Sequence, residues 1–468
     1  MKFIDREVEM GVLNEAEALS EKKLYSVAIY GLRRVGKTRL ILEFMKGGGL
    51  YFFVNKSKTS SSLLEEYEET LRKSGAISGI ERIASWESFF DVLFSRVKEP
   101  VCFDEFQNFS FVDPSVYGAL QKAMDLNENH PGLLLFSGSM VGMIKKLFSG
   151  EKEPLYGRVK RKMRLNPMKF ADSLKMCREL RLGMEDAIRL YSIFGGFPKY
   201  YVAIEDENLS GSSFDQIMDH FFFRESALLE DEVMEILFME FGKRTGVYYD
   251  IISSVANGGT RISEIGSQTK KKESAISRQL DELVNYFEII GIEKQAIGSK
   301  KLFFIRHPLV NFWFRFLHRR LSLYKRREPS LKEEIKAGLN SYFGIGFEIV
   351  CREFLEEINS SGKLPFRFSS IGRQWGKFHG EAGKDSYEID IVATEEKAKE
   401  ILFCECKWKE NVNAGEVLAE LRKKASHVQW NNGKRKEHYC IIAKSFPGKK
   451  PDGCALFDLK DIEKALSD

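Results

Sequence analysis

The chain has 468 residues, enough at roughly 150 residues per domain for about three domains, each with its own core. Hydrophobic residues make up 43 % and charged residues 30 %, with 11 Pro and 37 Gly, which excludes disorder and fibrous repeats. The 72 Lys and Arg against 68 Asp and Glu leave a net charge of only +4, so any case for a polyanionic partner has to be made segment by segment. The longest uncharged run, Pro131 to Ile144, is too short to span a bilayer, and the opening MKFIDREVEM carries charges where a secretory signal needs an apolar stretch. A cytoplasmic protein with no membrane role is expected. Seven cysteines (Cys102, Cys177, Cys351, Cys404, Cys406, Cys440, Cys454) are odd in number and sit mostly in apolar runs, as reduced core thiols do. Cys404 and Cys406 have no second pair to complete a zinc site.

The first chemical signal follows the apolar, β-branched run Tyr25 to Tyr30, where GLRRVGKT from Gly31 to Thr38 leads into LILEFM at helical spacing. A strand, a glycine loop and a helix form the context of a P-loop. In it the backbone N–H groups cradle phosphate oxygens, Lys37 reaches the β and γ phosphates and the Thr38 hydroxyl ligates Mg²⁺. The nucleotide-binding set expected here is Gly31, Arg34, Gly36, Lys37, Thr38 and Arg39. A second carboxylate must hold the metal, and the apolar run PVCFDEFQNF supplies Asp104 for that role, with Glu105 beside it to polarise the attacking water. The next buried-strand run, GLLLFSGS from Gly132, ends at Ser137 and Ser139, either of which is placed to sense the terminal phosphate, or simply to turn the strand.

Six motifs in order then carry a family resemblance: FIDREVEM from Phe3, GLRRVGKT, FDEFQ, FSGS, LYGRVKRKMRLNPM from Leu155 and GGFPKYY from Gly195. Together they resemble the archaeal ATPase family in the STAND branch of AAA+ P-loop NTPases, over the first 200 residues. The resemblance implies that Arg158 acts on the γ-phosphate as an arginine finger or switch arginine and that Pro198, in a helical lid, touches the adenine. The family's Phe-x-x-Arg-x-x-Glu opening maps approximately onto Phe3, Arg6 and Glu9, and Arg6 receives no nucleotide role. Relatives of this type often assemble when ATP-bound, so a homo-oligomer is expected by resemblance.

Beyond the lid, Val247 to Ala256 reads as a helix and Thr260 to Ile292 as helix, turn and helix, with Ala275, Ile276, Leu280, Leu283 and Val284 on one apolar stripe. The following strand, Gly-Ser turn and strand complete a pattern that resembles a winged helix-turn-helix. Lys271, Lys272 and Arg278 are then candidate DNA contacts, with Lys270 and Ser277 nearby and Lys300 and Lys301 on the wing. Internal packing is the competing role for such a module. Phe312, Trp313, Phe314 and Phe316 are read as core of a connecting helix.

The second chemical signal lies near the C-terminus. In YEIDIVATEE, Glu388 and Asp390 share a strand face, and in FCECKWK so do Glu405 and Lys407. Two carboxylates and a lysine brought together this way suit metal-dependent phosphodiester hydrolysis. The arrangement resembles the PD-(D/E)XK restriction-endonuclease-like superfamily, with Asp390 as the first acid, Glu405 and Lys407 as E-x-K, and Glu348 as a helical acid of the metal site. Ile389 stands where the pattern usually has proline. From Glu405 to Lys450 there are eleven Lys and Arg against five Asp and Glu, which favours a nucleic-acid backbone nearby. His379 is given no role.

The expected fold is multidomain α/β: a P-loop AAA+ ATPase core at 1–165, a helical lid at 166–235, a winged helix-turn-helix at 236–310, and connecting helices with a nuclease-like α/β domain at 311–468. The expected activity is an ATP- and Mg²⁺-dependent ATPase coupled to a DNA-directed, metal-dependent deoxyribonuclease-like domain. The alternative is an ATP-gated DNA- or protein-binding regulator with an inactive nuclease-like domain.

Overall fold

In the computed structural model, residues 3–242, 246–378, 386–448 and 451–466 are described. The apolar runs of the N-terminal part become five parallel strands: β1 (Leu24–Tyr30), β2 (Leu50–Phe53), β3 (Val101–Asp104), β4 (Gly132–Gly138) and β5 (Arg161–Arg164). They lie in the order β2-β3-β4-β1-β5, with β1 pairing in parallel with both β4 and β5. Both faces are covered, as all-parallel sheets require. Val27, Ile29, Leu133 and Leu135 pack against Leu13, Leu40 and Ile41 on one side, while Ala28, Phe103, Leu134 and Phe136 join an aromatic-rich core with Tyr67, Trp86 and Phe89 on the other. This order sets the end of β4 between the ends of β1 and β3, so the loops following these three strands open into one crevice.

The rest of the chain shares a single apolar core. It runs from the helices Phe170–Glu179, Met184–Phe194 and Pro198–Asp206, through Glu232–Phe241 and Pro308–Phe316, to the 32-residue helix Pro329–Ser360 and one face of a second sheet. Phe312, Trp313, Phe314 and Phe316 are all buried in it, as their spacing suggests. The long helix crosses Met184–Phe194 closely: a Cβ on Gly346 would stand 2.0 Å from Ser192 Oγ. The expected boundaries at 235 and 310 fall inside the helices Glu232–Phe241 and Pro308–Phe316, because these helices pack into both neighbouring parts.

Between them, the helices Gly246–Ala256, Ile262–Thr269 and Glu273–Asp281 precede an antiparallel hairpin of β6 (Ile290–Lys294) and β7 (Lys301–Ile305). Lys270 at φ +56° ends the second helix, and Gly266 lets Lys271 O approach to 3.0 Å of where a Cβ would stand, which makes the turn tight. Ile276, Leu280, Leu283 and Val284 are buried as expected, whereas Ala275 is exposed one position off the stripe.

The C-terminal sheet has the order β12-β11-β10-β9-β8. β8 (Ser370–Gly376), β9 (Tyr387–Glu395) and β10 (Glu400–Lys407) are antiparallel, and β11 (Lys436–Ala443) and β12 (Cys454–Phe457) continue in parallel. The long helix covers one face and Ala414–Ser426 the other. All seven cysteines are buried. No helix among the described residues is long and apolar enough to cross a membrane.

Candidate functional site

The glycine loop folds as its sequence suggests. Gly36 takes φ +98°, and Gly31 is required by packing, since a Cβ there would meet Leu165 O at 2.2 Å. The loop borders a cavity of about 730 Å³ lined by the cations Arg6, Arg33, Arg34, Lys37 and Arg39 and by the apolar side chains of Phe3, Ile4, Met168, Met176, Pro198 and Val202. A planar base fits the second and a polyphosphate the first. Gly31 itself does not line the cavity. Lys37 is 6 % exposed and donates to the carbonyls of Gly31 (2.9 Å) and Leu32 (3.0 Å). Burial lowers its pKa, with Glu105 and Asp104 opposing the shift.

Asp104 closes β3 and is 2 % exposed; its Oδ2 accepts from Thr38 Oγ1 at 2.8 Å and from the Tyr51 hydroxyl at 2.6 Å. Burial and this carboxylate raise the Tyr51 pKa, so Tyr51 stays a donor. Glu105 takes a left-handed conformation (φ +54°) that turns its side chain into the cavity, where Oε2 accepts from Ser139 Oγ (2.8 Å) and from the Gln107 amide. Ser139 therefore belongs to the cavity, whereas Ser137 is fully buried behind it.

Arg158 is placed elsewhere. It precedes β5, which runs parallel to β1, so it lies at the end of the sheet opposite the loop that follows β1. Its guanidinium makes two bonds to Asp125 (2.8 and 2.9 Å), and its carbonyl accepts from Ser26 at the start of β1. Arg158 thus does not line the cavity of its own chain.

Three cavity partners had no assigned role. Arg6, at φ +82°, donates to Val35 O of the loop (3.2 Å) and to Asn166 O (2.8 Å); its spacing to Phe3 and Glu9 was the available signal. Glu232 accepts from Arg34 Nε (3.0 Å) and Lys199 (2.7 Å), and Glu240 accepts from Arg33 Nε (2.9 Å). Burial pushes the Glu240 carboxyl up to about 7, against the pull of Arg33. Both acids come from one helix some 200 residues away, so no local pattern announces them.

At the second site a β-bulge decides the geometry. Gln374 pairs with Ile389 and Gly372 with Val392, so Asp390 and Ile391 together oppose Arg373. Asp390 Oδ2 accepts the Cys406 N–H at 2.8 Å. Burial, followed by the neighbouring Cys406 and Glu405, raises Asp390 to about 7; burial, followed by Asp390, raises Glu348 to about 9. Arg373 stands 3.8 Å from Glu348 and pairs with Glu388. Glu405, 2 % exposed, is bound on both oxygens by lysines: Lys407 at 2.6 Å and Lys424, from the helix Ala414–Ser426, at 2.8 Å. Among the described residues no group of three or more His, Cys, Asp or Glu is arranged to hold a metal ion. Of the expected set Glu348, Asp390 and Glu405, Asp390 acts electrostatically on both others, while both oxygens of Glu405 are taken by ammonium groups. His379, Lys449 and Lys450 lie outside the described residues.

Lys271, Lys272 and Arg278 are all exposed, Arg278 pairing with Glu282 one turn along (3.0 Å). The hairpin beside them is docked at both ends. Glu288, just before β6, binds Lys145 (2.6 Å) and Arg164 of the ATPase core, and Ala296 N donates to Arg373 O of β8 (2.9 Å).

Residues 3–204 match the family described as an ATPase domain predominantly from Archaea, and residues 313–420 match one described as archaeal and bacterial proteins of unknown function. An uncharacterised protein of Methanocaldococcus jannaschii, MJECL04, is 29 % identical over 98 % of this chain and 100 % of its own length. Among solved structures, the Walker-type ATPase PABY2304 of Pyrococcus abyssi superposes with a TM-score of 0.54 at 21 % identity, over 67 % of this chain and 96 % of that one. The ORC2 protein of Aeropyrum pernix gives 0.48 at 16 % identity over 72 % and 96 %. The N-terminal part of the chain is a parallel-sheet, P-loop ATPase-like domain, followed by a separate C-terminal sheet domain.

Proposed function

We propose that this chain is an ATP-binding and ATP-hydrolysing switch of the STAND type, working with Mg²⁺, whose later domains are directed to DNA. The observation that carries the reading is the meeting of Lys37, the Thr38–Asp104 pair and the Glu105–Ser139 pair around the crevice that follows β1, β3 and β4. Thr38 and Asp104 fit a Mg²⁺ ion, since a hydroxyl and a carboxylate oxygen already face each other at 2.8 Å and Mg²⁺ takes hard oxygen ligands. Such an ion would screen the phosphate charges. Lys37 exchanges two carbonyl oxygens for phosphate oxygens, and Glu105, fixed by Ser139 and Gln107, orients the attacking water. Replacing Glu105 by Gln is expected to lower ATP turnover by about 10²-fold or more while ATP still binds. Turnover unchanged in Glu105→Gln would remove Glu105 from this role.

The order of three helices and a hairpin supports a winged helix-turn-helix, and the exposure of Lys271, Lys272 and Arg278 supports phosphate contacts through its helices. The wing serves instead to join the ATPase core to the C-terminal sheet. Arg158, half-buried at the far end of the sheet, reaches a γ-phosphate only in a neighbouring copy, which is the form in which an ATP-dependent homo-oligomer is proposed.

For the C-terminal domain, the order of helix, antiparallel strands, helix and parallel strand, with Asp390 at the bulge and Glu405 and Lys407 on the next strand, supports a restriction-endonuclease-like fold. The donor set does not fit a metal ion while both oxygens of Glu405 are held by lysines, so no hydrolytic step is derived, and a DNA-docking role is the reading that fits. A metal-dependent deoxyribonuclease is a second reading, favoured by Asp390 and Glu348, two buried acids held toward their protonated forms. Incubating plasmid and linear DNA with Mg²⁺ or Mn²⁺, with and without ATP, separates the two. Cleavage lost in Asp390→Ala and Lys407→Ala establishes the nuclease; DNA that is bound in a mobility-shift assay yet stays intact under every condition establishes docking.

A further inference from the structure

Arg33 occupies the third position of the glycine loop and lines the nucleotide cavity together with Lys37 and Glu105. Its guanidinium is bound to Glu240, whose side chain is 7 % exposed. Arg33, Lys37, Glu105 and Glu240 act on one another electrostatically and form one cluster at the mouth of the loop. Lys37 serves the β and γ phosphates and Glu105 the water that attacks the γ-phosphate, so a cation beside both stands where the terminal phosphate must lie. With Arg158 at the other end of the sheet, this chain still supplies a guanidinium for that phosphate.

Glu240 also has a distinctive place in the chain. It is the penultimate residue of the helix Glu232–Phe241, which ends at Gly242 (φ +60°) just before the three helices and hairpin. Two turns earlier on the same helix, Glu232 holds Arg34 and Lys199. The helix is therefore fastened to two consecutive loop arginines, both of which face the cavity.

We propose that Arg33 is a phosphate-contacting residue that leaves Glu240 for the terminal phosphate of ATP, so that ATP, and not ADP, unfastens the helix Glu232–Phe241 from the loop. The inference rests on the ATP reading above. Glu240 is a positioning residue: it keeps Arg33 in the cavity while the terminal phosphate is absent, and competes with that phosphate when it arrives. The exchange is favourable because a guanidinium meets a phosphate in a two-point contact with more negative charge than a single carboxylate carries.

The test uses the full chain with Mg²⁺ and two fluorescent probes, ADP and the non-hydrolysable β,γ-imido analogue of ATP. Arg33→Ala is expected to weaken the imido analogue by about 10- to 100-fold, as removal of one charge-assisted hydrogen-bonding partner does, and to leave ADP binding unchanged, which also reports a folded cavity. Arg33→Lys should recover part of the loss. Glu240→Gln should tighten the imido analogue and leave ADP as it was. Amide hydrogen exchange across Glu232–Phe241 should rise with the imido analogue but not with ADP in the wild type, and should already be raised in Glu240→Gln. Equal loss of both nucleotides in Arg33→Ala, or imido-analogue affinity unchanged in Glu240→Gln, overturns the proposal. Wild-type protein that binds neither nucleotide overturns the ATP reading and this inference with it.

Discussion

Lys37 and Lys407 stand at two acidic sites of one chain, and their partners differ in kind. The hydrogen bonds of Lys37 go to neutral carbonyl oxygens, and Glu105 close by is held by a hydroxyl and an amide. Lys407 is spent on Glu405, which a second lysine also binds, while Asp390 and Glu348 are pushed toward their protonated forms. A polyphosphate entering the first site displaces only neutral partners from Lys37. A metal ion entering the second must deprotonate two buried acids and has Glu405 only if two charge-assisted bonds are broken. The nucleotide cavity is prepared for a ligand; the acid site is closed on itself.

The largest effect that would break this comparison comes from the two lysines. Lys37→Ala should lower ATP turnover by about 10³-fold, as expected when a preorganised cation at the phosphates is removed, while Lys407→Ala should leave phosphate release unchanged. A comparable fall in Lys407→Ala would mean that the two regions form a single machine. The next effect is on stability. Burial and their neighbouring negative groups hold the Asp390 and Glu348 carboxyls above their unfolded pKa values. Each therefore leaves stability untouched below about pH 4, lowers it by about 1.4 kcal/mol per pH unit while only the unfolded chain is ionised, and levels off above its folded pKa. Thermal unfolding between pH 5 and 9 should show this loss, with a smaller slope in Asp390→Asn. A melting temperature flat across that range would show that the acids are already compensated.

A third effect concerns DNA. Charge reversal at Lys271, Lys272 and Arg278 should weaken duplex binding and reduce the slope of log K against log salt by roughly 0.9 for each phosphate no longer neutralised. Binding unchanged in amount and salt slope would assign the module to internal packing, like its hairpin. The smallest effect is at Arg158. Arg158→Ala removes a partly exposed pair with Asp125 and should change the stability of one chain by no more than about 1 kcal/mol. A turnover per chain that rises with protein concentration in the wild type but not in this variant would mark Arg158 as acting on a neighbouring copy.

How much of this was legible beforehand depended on the range of the interaction. The strand, loop and helix around Gly31 to Thr38 and the strand ending at Asp104 were readable because they are local. The place of Arg158 needs only topology: a residue that precedes a strand lies opposite the loop that follows its parallel neighbour. Glu232 and Glu240 could not be read, since they meet Arg34 and Arg33 across about 200 residues. At the acid site, strict alternation placed Glu388 and Asp390 on one face, but the extra residue opposite Arg373 and the arrival of Lys424 from a helix are properties of the assembled sheet. The buried stripe Ile276, Leu280, Leu283 and Val284 was readable because its 3.6-residue period is local, whereas the docking of the hairpin through Glu288 and Ala296 was not.

The most direct test of the central claim is a calorimetric titration of the full chain with ATP in the presence of Mg²⁺, beside the same titration of Lys37→Ala. The account predicts one ATP bound per chain and no detectable binding in the variant. No heat of binding up to millimolar ATP, or one-to-one binding that survives Lys37→Ala, would contradict it.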